Sequence, residues 1–255
     1  MLVFVGAGNL ATCLASAFHK KGEPIELVWS RTETSARTLA EQVGARWTTD
    51  LADVPPEADV VIYAVKDSCL ARVLAQVRAP KALHLHTAGS MGMEVFSPDL
   101  HPRCGVFYPF QTFSKAREVD FSGIPVFLET SSAGDMQDAR SLAEKVTSEV
   151  YTADSATRRS LHLAGVFANN FSNCMFAIAA EQLAKAGLPQ KVLLPLIDET
   201  AAKVHTLPAA EAQTGPARRN DKDVMQKHLA MLTPELQQIY NDISDNILQR
   251  CGNTL

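Results

Sequence analysis

Short apolar runs alternate with segments of helical periodicity from the start of the chain to about Thr152. The predicted strands are residues 2–5, 25–29, 45–48, 59–65 and 82–86, followed by 105–108, 124–129 and a short strand near Val150. Gly22 and Gly44 lie where helices should end, and Pro55 and Pro56 interrupt the chain before the fourth strand. This alternation predicts a mainly parallel β-sheet with helices on both faces.

The strand pattern stops near Asp154, and apolar residues then recur at helical spacing from Leu161 to Leu183, before Gly187. We therefore predict two domains, an α/β domain over residues 1–153 and an all-helical domain over residues 154–255. The first long helix is apolar on more than one face. Such a helix is usually buried on several sides, so we expect it to pack against its own domain and a second subunit.

Composition and charge do not change the predicted fold, but they argue against several functions. The 255 residues are 46% hydrophobic and carry a net charge of −4, which does not favour nucleic acid or an anionic membrane surface. No uninterrupted apolar stretch approaches membrane-spanning length, and Met1 leads directly into the first strand. The five cysteines are scattered and form no C-x-x-C pair. We expect a cytoplasmic protein without a membrane anchor.

A glycine turn follows the first strand and precedes the first helix, with the sequence Gly6-Ala7-Gly8-Asn9-Leu10-Ala11. In this strand-turn-helix context, the spacing is a strong signal of dinucleotide binding. Gly6 allows the tight turn, and Gly8 allows the backbone to approach a pyrophosphate. The free N–H groups at the start of the helix, around Asn9 and Leu10, would bind its negative charge.

The end of the second strand indicates which dinucleotide is bound. Folds that prefer NAD place an acidic residue there to bind the adenosine ribose, whereas this chain has Ser30, Arg31 and Thr32. The planar guanidinium of Arg31 suits the additional phosphate of NADP. A solvated surface arginine is the alternative. We predict NADP as the cofactor, with these three residues at its adenosine end.

Three further segments are expected to face the nicotinamide, because ligands of such sheets bind beyond the carboxyl ends of the strands. They are residues 65–67 after the fourth strand, 86–90 after the fifth and 108–112 after the next. Ala64, Val65, Lys66 and Thr87 are expected in the cofactor groove, although Lys66 also fits a solvated loop. His84 and His86 share one face of a strand, but no third ligand has suitable spacing. We therefore predict no metal site.

Four motifs occur in order along the chain: the glycine turn, His86-Thr87-Ala88-Gly89-Ser90, Tyr108-Pro109-Phe110-Gln111-Thr112-Phe113-Ser114, and Thr214-Gly215-Pro216-Ala217-Arg218-Arg219-Asn220-Asp221 followed by His228-Leu229. Together they resemble a group of NADP-dependent oxidoreductases in which a Rossmann-like domain precedes a helical domain of unassigned function. More distantly, the chain is similar to ketopantoate reductase, pyrroline carboxylate reductase and the 6-phosphogluconate and hydroxyisobutyrate dehydrogenases. The resemblance implies a doubly wound Rossmann-like fold, a substrate cleft between the domains and a homodimer formed through the helices.

Several of these relatives have a catalytic lysine four residues before an asparagine on the first long helix. Counting back from Asn169 and Asn170 gives Gly165 and Val166, so the lysine is missing here. Carbonyl reduction still needs a proton donor, which typically raises the rate about 10²- to 10⁴-fold.

His162 precedes the asparagines by roughly two turns of the same helix, so His162, Asn169 and Asn170 could approach one cleft. Ser90 and His86 are similar candidates because they lie closer to the expected nicotinamide. A histidine at a helix start and asparagines that satisfy buried polar groups are the structural alternative.

The leading hypothesis is an NADP-dependent oxidoreductase that transfers hydride between nicotinamide and a small carbonyl or imine compound. The alternative is a non-catalytic protein that binds NADP(H) as a sensor or scaffold and dimerises through its helical domain. The missing lysine favours the alternative, and the polar loops around the expected cleft favour the enzyme.

Overall fold

A computed structural model describes residues 1–251. The chain divides into two compact units, of which the first is Met1–Cys174 and the second begins at Met175. In the first unit the strands are β1 (Leu2–Val5), β2 (Ile25–Trp29), β3 (Arg46–Thr48), β4 (Val60–Tyr63), β5 (Leu83–His86), β6 (Cys104–Pro109), β7 (Val126–Thr130) and β8 (Val150–Thr152). Its helices are α1 (Asn9–Lys20), α2 (Glu33–Val43), α3 (Asp67–Leu74), α4 (Ala133–Ala143) and α5 (Ser155–Gly165), followed by a π-helical segment, Val166–Phe171. The predicted strands all form, with ends that differ by one or two residues.

The eight strands form one sheet in the order β3-β2-β1-β4-β5-β6-β7-β8. All neighbouring pairs are parallel except β6 and β7, which are antiparallel. The chain starts at β1, proceeds to one edge and then returns to β4 on the other side of β1. This reversal creates a switch point between β1 and β4, where ligands of doubly wound sheets bind. The predicted α/β, doubly wound fold is confirmed.

Both faces of the sheet are buried, as expected for parallel strands. In β1, Leu2 and Phe4 belong to one apolar cluster, whereas Val3 and Val5 belong to a second cluster on the opposite face. Alternate side chains of a strand point to opposite faces, so four consecutive apolar residues supply both clusters. The core therefore fixes β1, and with it the glycine turn that follows.

Local sequence signals define the ends of the helices. Gly22 and Gly44 have φ values of 80° and 67°, the left-handed conformation that glycine adopts readily at helix ends. Ser132 caps α4 by accepting a hydrogen bond from the backbone N–H of Asp135, at 3.1 Å. Asp154 caps α5 in the same way through the N–H of Thr157, at 2.7 Å. The helix boundaries thus follow from residues visible in the sequence.

The described residues of the second unit form helices joined by turns and loops, without a strand. Its helices are the greater part of α6 (Ser172–Lys185), then α7 (Leu194–Lys203), α8 (Ala209–Ala212), α9 (Lys222–Leu229) and α10 (Pro234–Cys251). Pro234 starts α10 at a position where the missing N–H of proline costs nothing. Within the described part of this unit only Ala217 and Ser244 are buried. The unit therefore has almost no core of its own.

The long helical stretch Ser155–Lys185 differs from the sequence prediction in its apolar length. It is long and apolar enough to cross a membrane by length and composition, with a mean hydropathy of 1.3, which the sequence analysis did not anticipate. A core helix of a soluble protein passes the same test, so this is weak evidence for a membrane span. None of its apolar window is buried in the single chain, and burial against a second subunit stays a prediction. The chain alone does not supply enough apolar surface to cover it.

Candidate functional site

The glycine turn connects β1 to α1 at the switch point of the sheet. Gly6 has a φ of 127°, and a Cβ atom at this position would lie 2.2 Å from the carbonyl oxygen of Ala64. Only glycine fits there without displacing the backbone after β4. A Cβ atom on Gly8, by contrast, would have no protein atom within 4 Å. Gly6 thus allows the turn to pack closely against Ala64. Beside Gly8 there is space that no protein atom fills.

The first residues of α1 present their N–H groups toward that space. Helix geometry leaves the N–H groups of Asn9 and Leu10 without partners inside the helix. Gly8, at the N-cap, has no side chain that could accept their hydrogen bonds. A pyrophosphate fits this arrangement, because it supplies acceptors to the donors and negative charge to the positive end of the helix dipole.

Ser30, Arg31 and Thr32 lie directly after β2, beside the glycine turn, whose Gly6 N–H donates to the carbonyl of Trp29 at 2.8 Å. Thr32 is the N-cap of α2, so Arg31 precedes the helix. Arg31 is exposed and forms no ion pair with any residue of the described chain. Its guanidinium is therefore available to an external anion, and its binding to the NADP phosphate stays a prediction.

The loops after β4 and β5 lie at the same edge of the sheet as the glycine turn. Lys66 is the N-cap of α3, directly after Ala64 and Val65. The Thr87 hydroxyl donates to the carbonyl of Tyr63 at 3.1 Å, so it holds the β5 loop against β4. Ser90 donates to the carboxylate of Asp67. Thr87 and Ser90 are thus already hydrogen bonded within the protein.

Tyr108 and His162 form a hydrogen-bonded pair near Ser90, with 3.2 Å between the Tyr108 hydroxyl and His162 Nδ1. Gly89 permits this contact, because a Cβ atom there would lie 2.7 Å from Tyr108 Cζ and 2.8 Å from His162 Nδ1. Burial raises the pKa of Tyr108, and the charge of Asp67 adds to this effect, whereas Arg158 opposes it. The Tyr108 hydroxyl therefore retains its proton at neutral pH and can donate it.

A pocket of about 390 Å³ adjoins this pair. Its lining includes Tyr108, Phe110, Gln111, His162, Asn169 and Asn170. The two asparagines lie in the π-helical segment, a rare geometry that occurs frequently at functional sites. The structure thus brings together three of the four predicted catalytic residues, while Ser90 lies in the adjoining loop. Their catalytic roles stay predictions.

Tyr108 was expected to face the nicotinamide but was not assigned a catalytic role from the sequence. It follows four buried residues of β6 and lies at the carboxyl end of that strand. His86, another candidate proton donor, is fully buried. Burial lowers its pKa to about 3, with a smaller contribution from the charge of Arg158, so His86 is neutral near pH 7.

Phe110 occupies the space beside Gly165, one of the two counted lysine positions. A Cβ atom on Gly165 would lie 2.9 Å from the Phe110 ring, so a longer side chain there would have to displace the ring. The π-helical geometry from Val166 onward changes which side chains share a face of the helix.

A buried ion pair holds the walls of the pocket in place. Arg158 is completely buried and is paired with the carboxylate of Glu129 on β7. It also donates to the backbone carbonyl of Met91 at 2.5 Å, in the loop after β5. The pair thus connects α5, β7 and the loop that contains Gly89 and Ser90.

The fold and the glycine turn together define a Rossmann-like dinucleotide-binding protein. Residues 1–86 match a family described as "NADP oxidoreductase coenzyme F420-dependent", and residues 124–247 match a "Domain of unknown function (DUF2520)". The chain is 51% identical to a putative NADP oxidoreductase from Bacteroides fragilis, with a TM-score of 0.92 over 97% of both chains. The chain belongs to this family of NADP oxidoreductases, in which a Rossmann-like domain precedes a helical domain of unassigned function.

More distant proteins share the fold or part of the sequence. A protein from Thermotoga maritima is 22% identical, with a TM-score of 0.81 over 99% of this chain and 100% of that one. A reductive aminase from Aspergillus terreus, in complex with NADPH4, cyclohexanone and allyl amine, is 18% identical, with a TM-score of 0.73 over 98% of this chain and 95% of that one. The pyrroline-5-carboxylate reductase of Vibrio alginolyticus is 31% identical over 80 residues, which span 31% of this chain and 29% of that reductase. NADP is the cofactor named for this family, as predicted.

Proposed function

We propose that the protein is an NADP-dependent reductase that acts on a small carbonyl or imine compound. The observation that carries this proposal is the Tyr108–His162 pair, which lies at the same edge of the sheet as the glycine turn. A proton donor at the cofactor edge is what reduction of a C=O or C=N bond requires. We retain residues 1–153 and 154–255 as the proposed domains and the cytoplasm as the proposed location.

The residues present fit the cofactor at its pyrophosphate and at its adenosine ribose. NADPH, when bound, supplies a hydride to the substrate carbon. The N–H groups of Asn9 and Leu10 hold the pyrophosphate, Arg31 binds the ribose phosphate, and Ala64, Val65, Lys66 and Thr87 flank the groove. Tyr108 donates a proton to the oxygen or nitrogen that receives the electron pair of the reduced double bond. His162 then returns a proton to the Tyr108 hydroxyl.

The pocket favours a substrate without a carboxylate or phosphate. Its described lining includes aromatic and amide side chains such as Phe110, Gln111, Asn169 and Asn170, but no lysine or arginine. An anionic group placed there would lose its hydration without gaining a cationic partner. Uncharged ketones and imines, or protonated imines over the aromatic faces, fit this lining better. Cyclohexanone, a compound named in the complex of the Aspergillus terreus reductive aminase, is an uncharged ketone of this kind.

Binding of NADPH to the Gly8→Ala variant tests the cofactor site. The added methyl group would meet no protein atom within 4 Å, and φ at Gly8 is −80°, so the fold should be unaffected. It would occupy the space above the turn, so we expect NADPH affinity to fall at least about tenfold. Gly123→Ala, also without a protein atom within 4 Å, is the matched control and should bind as the wild type does.

Calorimetric titration measures these affinities, and thermal melting checks that both variants fold. The proposal fails if the wild-type protein does not bind NADPH. It also fails if Gly8→Ala binds as tightly as the wild type.

We further propose that the protein is a homodimer formed through its helices. The second unit exposes large apolar side chains, and soluble monomers rarely expose extended apolar patches. These residues are Leu188, Val192, Leu194, Leu196, Val204, Leu207, Met231, Ile239 and Ile243. The same unit contains an apolar cavity of about 700 Å³. A second copy would supply the core that the unit lacks, as the resemblance of the sequence implies.

A further inference from the structure

Residues 113–118, which begin at the end of the third motif, lie against α1. Cys13, in the first turns of α1, donates to the carbonyl of Ser114 with 3.6 Å between sulfur and oxygen. Lys20, at the end of α1, is paired with Glu118. Phe113 anchors the segment by stacking on Phe121, with 5.5 Å between ring centroids. These contacts fix the direction of the segment along the helix.

Lys115 lies at the end of this segment that is nearer to the glycine turn. Its ammonium group donates to the carbonyl oxygen of Ala7, inside the turn, at 2.6 Å. An ammonium has three donors, and this bond uses one of them. Lys115 forms no ion pair with any carboxylate of the described chain. A cation without a counter-ion is therefore held beside the proposed pyrophosphate site.

This position is electrostatically unfavourable for the protein alone. The N-terminal end of a helix carries partial positive charge, so a nearby cation costs roughly 0.3 to 1 kcal/mol unless an anion lies between them. The contacts of Cys13, Lys20 and Phe113 nevertheless keep Lys115 at that end of α1. An anionic group bound at the turn would remove this repulsion and use the two remaining donors of the ammonium.

We propose that Lys115 is a cofactor-binding residue that contacts the pyrophosphate of the dinucleotide. This inference rests on the proposed NADP-binding function and adds a side chain to a site otherwise built from backbone N–H groups. Because NADP and NAD share the pyrophosphate, Lys115 contributes equally to both. Arg31, at the ribose end, should contribute only to the binding of NADP.

The test is a titration of the full-length protein with NADPH and with NADH, measured by nicotinamide fluorescence at low salt. Lys115→Met removes the charge and retains the length of the side chain. We expect it to weaken binding of both dinucleotides by a similar factor of about ten or more, the usual effect of losing one charge-assisted hydrogen bond. Lys115→Arg should restore most of the affinity.

Two further variants make the comparison specific. Arg31→Met should weaken binding of NADPH and leave NADH unchanged. Arg117→Met, which removes a cation from the same segment, should leave both affinities at the wild-type value. Thermal melting should give the same midpoint for Lys115→Met as for the wild type, because the side chain is exposed.

The inference is overturned if Lys115→Met binds both dinucleotides as tightly as the wild type. It is also overturned if only NADPH binding weakens, because Lys115 would then contact the ribose phosphate. A wild-type protein that binds neither dinucleotide would instead refute the proposed function itself.

Discussion

At the scale of single residues, the proposed chemistry depends on the Tyr108 hydroxyl. Burial raises the pKa of this hydroxyl, so it is protonated at neutral pH, and it is hydrogen bonded to His162 Nδ1. His162 was a candidate from the sequence because histidine in general titrates near neutral pH. The structure adds that His162 contacts a second titratable side chain, Tyr108.

Tyr108→Phe removes the proposed donor without changing the shape of the ring. We expect the turnover number for a ketone such as cyclohexanone to fall about 10²- to 10⁴-fold, the usual contribution of general acid catalysis. NADPH affinity should not change, because the hydroxyl serves the substrate. Steady-state oxidation of NADPH and a binding titration measure the two quantities.

An imine substrate provides the internal control for this variant. A cyclic imine such as pyrroline is basic enough to arrive already protonated, so Tyr108→Phe should slow its reduction less than that of a ketone. Equal loss on both substrates would show that the hydroxyl is not the proton donor. Turnover at the wild-type rate with either substrate would remove Tyr108 from the mechanism, and wild-type binding without any turnover would favour the sensor.

At the scale of elements, β5 places two buried histidines in the core. His84 Nδ1 lies 2.7 Å from the Tyr63 hydroxyl, and its Nε2 lies 2.9 Å from the carbonyl oxygen of Ala79. Burial lowers the pKa of His84 to about 4 and that of His86 to about 3. Both are therefore neutral in the folded protein at physiological pH, and protonation opposes folding.

Because both histidines are buried and neutral, we predict that the free energy of unfolding decreases as the pH falls. The histidines keep their ordinary pKa of 6.5 when the chain unfolds, so above that pH they do not affect stability. As the pH falls toward 4, the unfolded state takes up protons first, and the free energy of unfolding drops by up to about 1.4 kcal/mol per pH unit for each histidine. Urea unfolding at a series of pH values measures this slope.

His86→Phe tests which groups cause the slope. His86 stacks on Phe96, with 5.5 Å between ring centroids, and its Nε2 is buried without a hydrogen-bond partner. Phenylalanine preserves the stacking and removes one titrating group, so the slope should become shallower. An unfolding free energy that stays constant from neutral pH down to about pH 5 would contradict the prediction.

Strands and helix ends that have a local sequence pattern were predictable. The orientation of β7 and the π-helical segment were not. The strands formed where apolar runs occurred, and α2 ended at Gly44 as expected. The antiparallel orientation of β7 depends on how the chain returns after Pro109, which no local pattern records. The π-helical geometry at Asn169 and Asn170 was also not predicted, because the same residues are compatible with a regular α-helix and no local pattern distinguishes the two.

At the scale of the whole molecule, the exposed apolar helices predict the assembly state. Sedimentation or light scattering without detergent should give twice the 27.7 kDa mass of one chain. Leu196 is 64% exposed in the single chain, and a substitution at a surface position is usually nearly neutral. If a second copy covers Leu196, Leu196→Lys should shift the protein toward monomers.

Trp47→Lys serves as the control, because Trp47 is also apolar and exposed but lies on β3 of the first unit. It should leave the mass unchanged. A wild-type protein that remains monomeric and soluble at high concentration would refute the homodimer.

The sequence alone determined the sheet, its helices, the glycine turn and the NADP family, because these depend on short patterns: alternate burial along a strand, helix ends, and a turn that only glycine can form. Only the tertiary structure decided that Tyr108 meets His162 and that Phe110 fills the space beside Gly165. It alone also decided that Lys115 reaches the glycine turn. These contacts join residues more than fifty positions apart, and their distances depend on how β6 and its following loop pack against α1 and α5.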